Sequence, residues 1–597
     1  MKTTNEIKSH SFHIPVMGIA YTIDSPIRVA QYGISSVISL VDDILIEKMR
    51  EFYSNEFNFP FHSITDKIED FRAKRITAYL NMLEDIVKQK LEILKESVLE
   101  QGTELMKYID MLPDSSPIKS NFIALDISNA DPKRMLDWIK SNLIPGSIDV
   151  NIMTKLDKET YHKKEKLPSE YNDAHSALRG FANSKLQSSV VLSAGMNPRL
   201  YSYLEDFKDF FPNEKGELKK KIIIKVSDYR SALIQGKFFA KKGLWVSEYR
   251  IESGLNCGGH AFATEGYLLG PVLEEFKKNK EQLKAEVFQM IAHALVSKGH
   301  IVPTEMPSQK ITAQGGVGTA QEHDFLIKHY DLDSVGWGTP FLLVPEAVNI
   351  DKQTQQLLSN AKEDDLYLSN ISPLGVPFNN VKNNTQDLIK ENRIDDKRPG
   401  SPCVKKFASL NKEFTEKVIC TASRQYQELK INELKSKSLP NEEYTKEYKR
   451  IVEKACICVG LGTSAMISSG MDTKVVGPGV SVCPGPNMAY FSKISSLKNM
   501  VDHIYGKENV ISESDRPNMF IKELKMYIDH FKVKINESTK PLTSRQVTQL
   551  AKFKENLVDG IEYYRHTFTN FFNELDTQNP QSNLNYLEKE LNLIAGK

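Results

Sequence analysis

The residues best placed to do chemistry are glycines in two consecutive turns. Ile311-Thr312-Ala313-Gln314-Gly315-Gly316-Val317-Gly318-Thr319 is followed about twenty residues later by Ser334-Val335-Gly336-Trp337-Gly338-Thr339-Pro340-Phe341. Each reads as a short apolar strand running into a glycine-rich turn. Without a Cβ, such turns let backbone N–H groups approach an anion closely. In a (β/α)₈ barrel the loops after strands 7 and 8 commonly cradle a phosphate, so the amides of Gly315, Gly316, Gly338 and Thr339, with the Thr339 hydroxyl, are candidate phosphate ligands. The alternative is two ordinary strand-to-helix turns that need glycine for positive φ.

A second group is made of thiols. Five of the six cysteines, Cys403, Cys420, Cys456, Cys458 and Cys483, fall within about eighty residues. Four thiolates hold a [4Fe–4S] cluster or a zinc ion. The best set is Cys403, Cys420 and Cys483 with either Cys456 or Cys458. Packed thiols with no metal are the third reading, because the spacing is not that of a zinc ribbon.

These residues need a scaffold. A chain of 597 residues is too long for one small core and implies several domains or large insertions. The net charge of +1 gives no basic field for nucleic acid, and no run of eighteen apolar residues suggests a membrane span. The segment from Met1 to His13 is polar and lacks the apolar stretch of a signal peptide, so a cytoplasmic location with reduced thiols is expected. Nine segments read as strands: 13–20, 34–40, 122–127, 148–153, 190–194, 222–226, 243–247 and the two glycine-turn strands. Helical stretches separate most of them, which predicts a parallel α/β barrel with one strand too many. The expected division is a TIM barrel from 1–44 and 116–382, a helical insertion at 45–115, a cysteine-bearing region at 398–488 and a helical C-terminal domain at 489–597. A Tyr/Phe stripe around Tyr563, Tyr564 and Phe568 predicts a packed helix face.

Glu252-Ser253-Gly254-Leu255-Asn256-Cys257-Gly258-Gly259-His260, the strand ending Pro15-Val16-Met17-Gly18, Val150-Asn151-Ile152-Met153, and the two glycine turns together resemble the nitronate monooxygenase-like family of FMN-dependent TIM-barrel oxidoreductases. Ile224-Lys225-Val226-Ser227 and the Gly315–Thr319 turn also look like the related enoyl reductases of polyketide and polyunsaturated fatty-acid synthases. The resemblance implies FMN held by Met17, Gly18, Asn151, Lys225, Gly258, Gly259, Gly315, Gly316, Gly318, Gly338 and Thr339. It implies that His260 handles the proton and that Lys225 steadies the reduced flavin, with Cys257 a wall of the flavin pocket. One departure is Ala261-Phe262, where many nitronate monooxygenases continue with Arg-Gly.

The resulting expectation is a flavin oxidoreductase acting on a small carbon acid or an activated alkene, with a cysteine-held cluster as an electron relay to a partner protein. The runner-up is an enoyl-thioester reductase served by a carrier protein. A non-catalytic barrel that binds a partner through its helical additions is the alternative of another class.

Overall fold

The computed structural model describes residues 9–97, 102–127, 132–163, 165–193, 195–256, 265–512, 515–538, 542–571 and 580–595. Eight strands form a closed barrel: β1 (Phe12–Ile14), β2 (Ser35–Ser39), β3 (Ile148–Met153), β4 (Ser189–Ser193), β5 (Lys221–Val226), β6 (Val246–Glu252), β7 (Lys310–Gln314) and β8 (Ser334–Gly336). All neighbours run parallel, and β1 pairs with both β2 and β8, through His13 opposite Ser35 and Phe12 opposite Val335. This is the (β/α)₈ TIM barrel expected from the alternation of apolar strands and helical stretches. Parallel strands need helices over their outer face, and the residues on that face are apolar, as with Ile222, Ile224 and Val226 of β5 and Tyr249 and Ile251 of β6.

Two strand expectations are corrected. Phe122–Ile127 belongs to a helix, Pro117–Ile127. Proline suits the first helical position, where its missing N–H is not needed, and the Ser116 carbonyl accepts from the Ser120 N–H. Ile118 and Phe122, four apart on one helical face, are buried, whereas Ile123 is 45% exposed. The helices inserted between β2 and β3 therefore run on through Pro132–Asn142. The strand expected at 243–247 begins only at Val246, because Gly243 takes a left-handed turn conformation with φ of 78°.

Side chains alternate along each strand, so residues two apart share a face. Val37, Val191 and Ile223 point into the barrel and form a small apolar cluster with Val16. The other wall is polar. Arg250 pairs with Glu248 at 2.7 Å, and the Thr312 hydroxyl donates to the same carboxylate at 2.6 Å. Burial alone would raise the Glu248 carboxyl, but the Arg250 guanidinium and these donors hold it down to about 2.

After the barrel comes a hairpin, β9 (Leu366–Ser369) with β10 (Phe378–Val381), and then mainly helices. The C-terminal helices share the barrel's core: Tyr527, Tyr564 and Leu557 belong to the same buried cluster as β5 and β6. Tyr564 stacks on Phe568 with centroids 5.4 Å apart, so the aromatic stripe is a packed face. A buried ion pair ties the glycine turn after β7 to the C-terminal part. Thr319 caps the helix Ala320–His329, and Glu322 reaches back to accept the Gly318 N–H at 2.9 Å. The same carboxylate takes Arg516 through both guanidinium arms, each at 2.8 Å, and the Met519 N–H at 2.7 Å.

Glu322→Ala should therefore cost about 3–5 kcal/mol, since it leaves the buried Arg516 charge and two backbone donors unanswered. The fall in the urea unfolding midpoint measures it. An unchanged midpoint would show that this carboxylate does not hold the extension to the barrel.

Candidate functional site

The C-terminal ends of the barrel strands surround a cavity of about 800 Å³, its open mouth included. Its floor and walls come from Gly18 after β1, Ser39 of β2, Asn151 of β3, Ser193 of β4, Lys225 of β5 and Glu252 of β6. Its roof comes from far along the chain: Leu374 and Phe378 near the hairpin, Cys458 and Leu461 of the helix Ile457–Ser468, and Cys483. That helix carries no charged residue and is mostly buried. Two glycines let it come close. A Cβ on Gly460 would lie 2.3 Å from Ser481 Oγ, and one on Gly18 would lie 3.2 Å from the Leu461 side chain.

The polar floor is built around one carboxylate. Lys225 Nζ lies 2.7 Å from Glu252 Oε1. Gln314 Nε2 and Asn256 Nδ2 donate to the same oxygen at 2.7 Å and 2.5 Å. Asn151 Oδ1 is buried at the cavity and receives no hydrogen bond from a described residue. A buried acceptor without a donor is costly unless something brings one. The site thus offers an ammonium and an amide acceptor inside a largely apolar chamber, an arrangement suited to a flat organic group with one polar edge.

Gly18, Asn151 and Lys225 therefore meet at one cavity. Met17 is buried next to it, its N–H donating to Thr22 Oγ1, and does not line it. The glycine turns lie to one side. Gly315 and Gly316 have φ of 114° and 87°, and their missing Cβ atoms would meet the loop after β6 at Ser253 and Leu255. The segment from Cys483 to Asn487 covers both turns. The Thr339 hydroxyl donates to the Pro484 carbonyl at 2.6 Å, Asn487 Nδ2 donates to the Val317 carbonyl at 2.9 Å, and Arg516 donates to the Gly316 carbonyl at 2.8 Å. The Gly318 amide and the Thr339 hydroxyl, both expected to face a ligand, are thus engaged within the protein. Gly338 does not line the cavity. Gly258, Gly259, His260 and Cys257 lie outside the described residues. Sequence reasoning missed Glu252, Glu322 and Arg516, whose partners are fixed only by the fold. The one available signal was the position of Glu252 at the end of a strand.

The structure gives no support to the expected metal site. Among the described residues no group of three or more His, Cys, Asp or Glu side chains is arranged to hold a metal ion. None of Cys403, Cys420, Cys456, Cys458 and Cys483 forms a disulfide. Cys403, Cys420, Cys456 and Cys458 lie within electrostatic reach of one another: Cys403 and Cys456 share a hydrogen bond, and Cys458 packs against the apolar cluster of Cys420, Leu156, Ala408 and Ala422, while Cys458 and Cys483 line the cavity. Burial pushes the Cys420 thiol up to about 11, whereas the Cys456 hydrogen bond and the Lys406 and Lys405 N–H groups draw Cys403 down to about 6. Among the described residues no single helix is long and apolar enough to cross a membrane. One bent pair, Asn441–Val452 with Ile457–Ser468, passes on combined length and composition.

No protein-family model and no curated protein matches the chain. Among solved structures it is similar to FabK from Thermotoga maritima, at 11% identity over 84% of this chain and 93% of that one, with a TM-score of 0.34. It is also similar to the enoyl reductase domain of MlnA from Bacillus amyloliquefaciens, at 16% identity over 70% and 89%, TM-score 0.34. Nitroalkane oxidase from Streptomyces ansochromogenes matches at 8% identity over 64% and 79%, TM-score 0.29. Likeness this distant says nothing of chemistry, which rests on the residues.

Glu523 ties Leu269 to the end of β6: its carboxylate accepts the Leu269 N–H at 2.8 Å and bonds the Ser253 side chain. Burial raises its carboxyl from 4.5 to about 7. The folded chain then holds this proton more tightly than the unfolded chain does. This group's contribution is most favourable below about pH 4.5, and it is lost as pH rises through about 7. Glu523→Gln should escape the loss. Its unfolding free energy relative to the wild type should rise by about 3 kcal/mol between pH 4 and pH 8. Denaturant curves across that range check it; a difference that does not vary with pH would mean the carboxyl is ionised throughout.

Proposed function

We propose that this chain is an FMN-dependent oxidoreductase acting on a small carbon acid or an activated alkene. The observation that carries the reading is the meeting of Lys225 and the undonated Asn151 Oδ1 in one apolar cavity at the mouth of a closed parallel barrel. A flavin ring is flat and apolar, with one edge that carries an N–H donor and carbonyl acceptors. Asn151 Oδ1 would accept the N–H, and Lys225 would donate to the carbonyl edge. The phosphate end fits only if the Cys483–Asn487 segment yields, because Pro484 and Glu322 engage the Thr339 hydroxyl and the Gly318 amide.

Bound FMN supplies the two-electron chemistry. The chain's own residues do the rest. Glu252 holds Lys225 in place and offsets its charge, so Lys225 would act as a directed donor more than as a bare cation. Leu374, Phe378 and Leu461 exclude water from above. His260, by the resemblance, would carry the proton to or from carbon.

The enoyl-thioester reading has one observation in its favour. A wide outer cleft, bordered by Lys155, Asn197 and Arg199, shares Pro373 and Leu374 with the cavity and would take a long substrate tail, such as one borne by a carrier protein.

Purified full-length protein should be yellow or should quench FMN fluorescence on titration. Asn151→Leu should weaken FMN binding about tenfold, the equivalent of one lost hydrogen bond. A colourless wild type that leaves FMN fluorescence unchanged would remove the flavin reading and favour a partner-binding barrel. NAD(P)H consumption driven by a crotonyl thioester, with none driven by a nitronate, would select the reductase.

A further inference from the structure

Cys403 sits in a tightly ordered loop. The Ser401 N–H donates to the Ala422 carbonyl at 3.0 Å and the Arg424 N–H to the Ser401 carbonyl at 3.1 Å. Gly400 has φ of 84°, and a Cβ there would lie 2.6 Å from the Arg424 backbone, so the two strands of this loop are pressed together. Within it, Cys403 Sγ accepts the Lys406 N–H at 3.3 Å. The Lys405 N–H reaches the same sulfur. The Cys456 thiol hydrogen-bonds the same sulfur. Cys403 is half-buried and reachable from solvent, while Cys456 is buried. Cations stand close by: Arg393 lies within electrostatic reach of Cys456 and of Arg424.

These are the surroundings of an attacking thiol with a resolving thiol behind it. We propose that Cys403 and Cys456 form a thiol–disulfide exchange site that takes low-molecular-weight disulfides, with Cys403 the nucleophile. Cys403 sulfur attacks one sulfur of a disulfide RSSR, the S–S bond breaks, and RS⁻ leaves and takes up the proton that Cys403 gave up. Cys456 then attacks the Cys403 sulfur of the mixed disulfide, expels the second RS⁻ and gives up its proton to it. Two protein thiols are oxidised by two electrons, and RSSR is reduced to two RSH. Cys420 and Cys458 lie within electrostatic reach of the pair, but burial raises both thiols, and they pack together in an apolar cluster.

The site has a structural consequence. Cys456 immediately precedes the helix Ile457–Ser468 that roofs the cavity. A Cys403–Cys456 bond would tie the start of that roof to the ordered loop. The proposal does not depend on the flavin reading.

The test uses the full-length reduced protein incubated anaerobically with glutathione disulfide and mapped as unreduced peptides. The expected result is a crosslink between Cys403 and Cys456 in the wild type. Cys456→Ser should accumulate a single glutathione adduct on Cys403, and Cys403→Ser should give neither crosslink nor adduct at Cys456. Adducts at Cys456 in the absence of Cys403, or a wild type with no crosslink, would overturn the assignment. A measurement on the wild type guards against variants that fail to fold. Brief iodoacetamide labelling should modify Cys403 at least about tenfold faster than Cys420, as expected for a partly exposed, N–H-bonded thiolate against a buried thiol. Equal rates would likewise overturn it.

Discussion

A single carboxylate oxygen organises the mouth of this barrel. Glu252 Oε1 takes donors from Lys225 at the end of β5, Gln314 at the end of β7 and Asn256 in the loop that follows β6. Glu252 and Lys225 side chains are only 4% and 7% exposed. A carboxylate so deeply buried is tolerable only when cationic and hydrogen-bonded partners replace the lost water. Glu252 at the end of β6 is thus tied to its own following loop and to the ends of the two flanking strands, β5 and β7, which fixes the spacing among them. The cavity floor is therefore set by charge pairing, while the barrel beneath it is split between an apolar cluster and the Glu248–Arg250 pair.

The parts of the fold that were legible in the sequence share one property: the signal is local. The strands alternate with helical stretches, and Gly315 and Gly316 announce turns because only glycine takes their φ of 114° and 87° at no cost. Gly18, Asn151 and Lys225 were legible as strand-end positions, and they do meet at one cavity. Phe122–Ile127 misled because a short apolar run reads alike as a buried strand or a buried helix. Pro117, five residues earlier, held the information that decides between them. What the turns face was not legible. Their cover is a segment about 150 residues downstream, and Glu322 meets Arg516 across nearly 200 residues, distances at which spacing carries no signal.

The cysteines separate composition from geometry. Five thiols in one region suggested four converging ligands, because dense thiols that stay reduced so often serve a metal. Convergence needs more than proximity in sequence, since each sulfur must also point at a common centre. Here Cys456 and Cys458 straddle the start of a helix, one turned to Cys403 and the other to the cavity.

The roof explains why the extension is part of the site. Strand ends can supply a floor and walls, but the closed barrel leaves its upper face to water unless another element covers it. Here the cover is an uncharged helix seated by Gly460 and Gly18, which brings Cys458 and Leu461 over Lys225 and Asn151. An uncharged helix is a poor surface in isolation and a good lid over an apolar chamber, since its burial both removes its own apolar area from water and dries the groups below. The same downstream chain supplies the Cys483–Asn487 segment over the glycine turns and, through Arg516, the tie to Glu322. Floor and roof are thus energetically coupled: whatever loosens the Glu322–Arg516 pair also loosens the cover of the turns. Ligand access at this mouth therefore depends on the downstream segment as much as on the ring of strand ends.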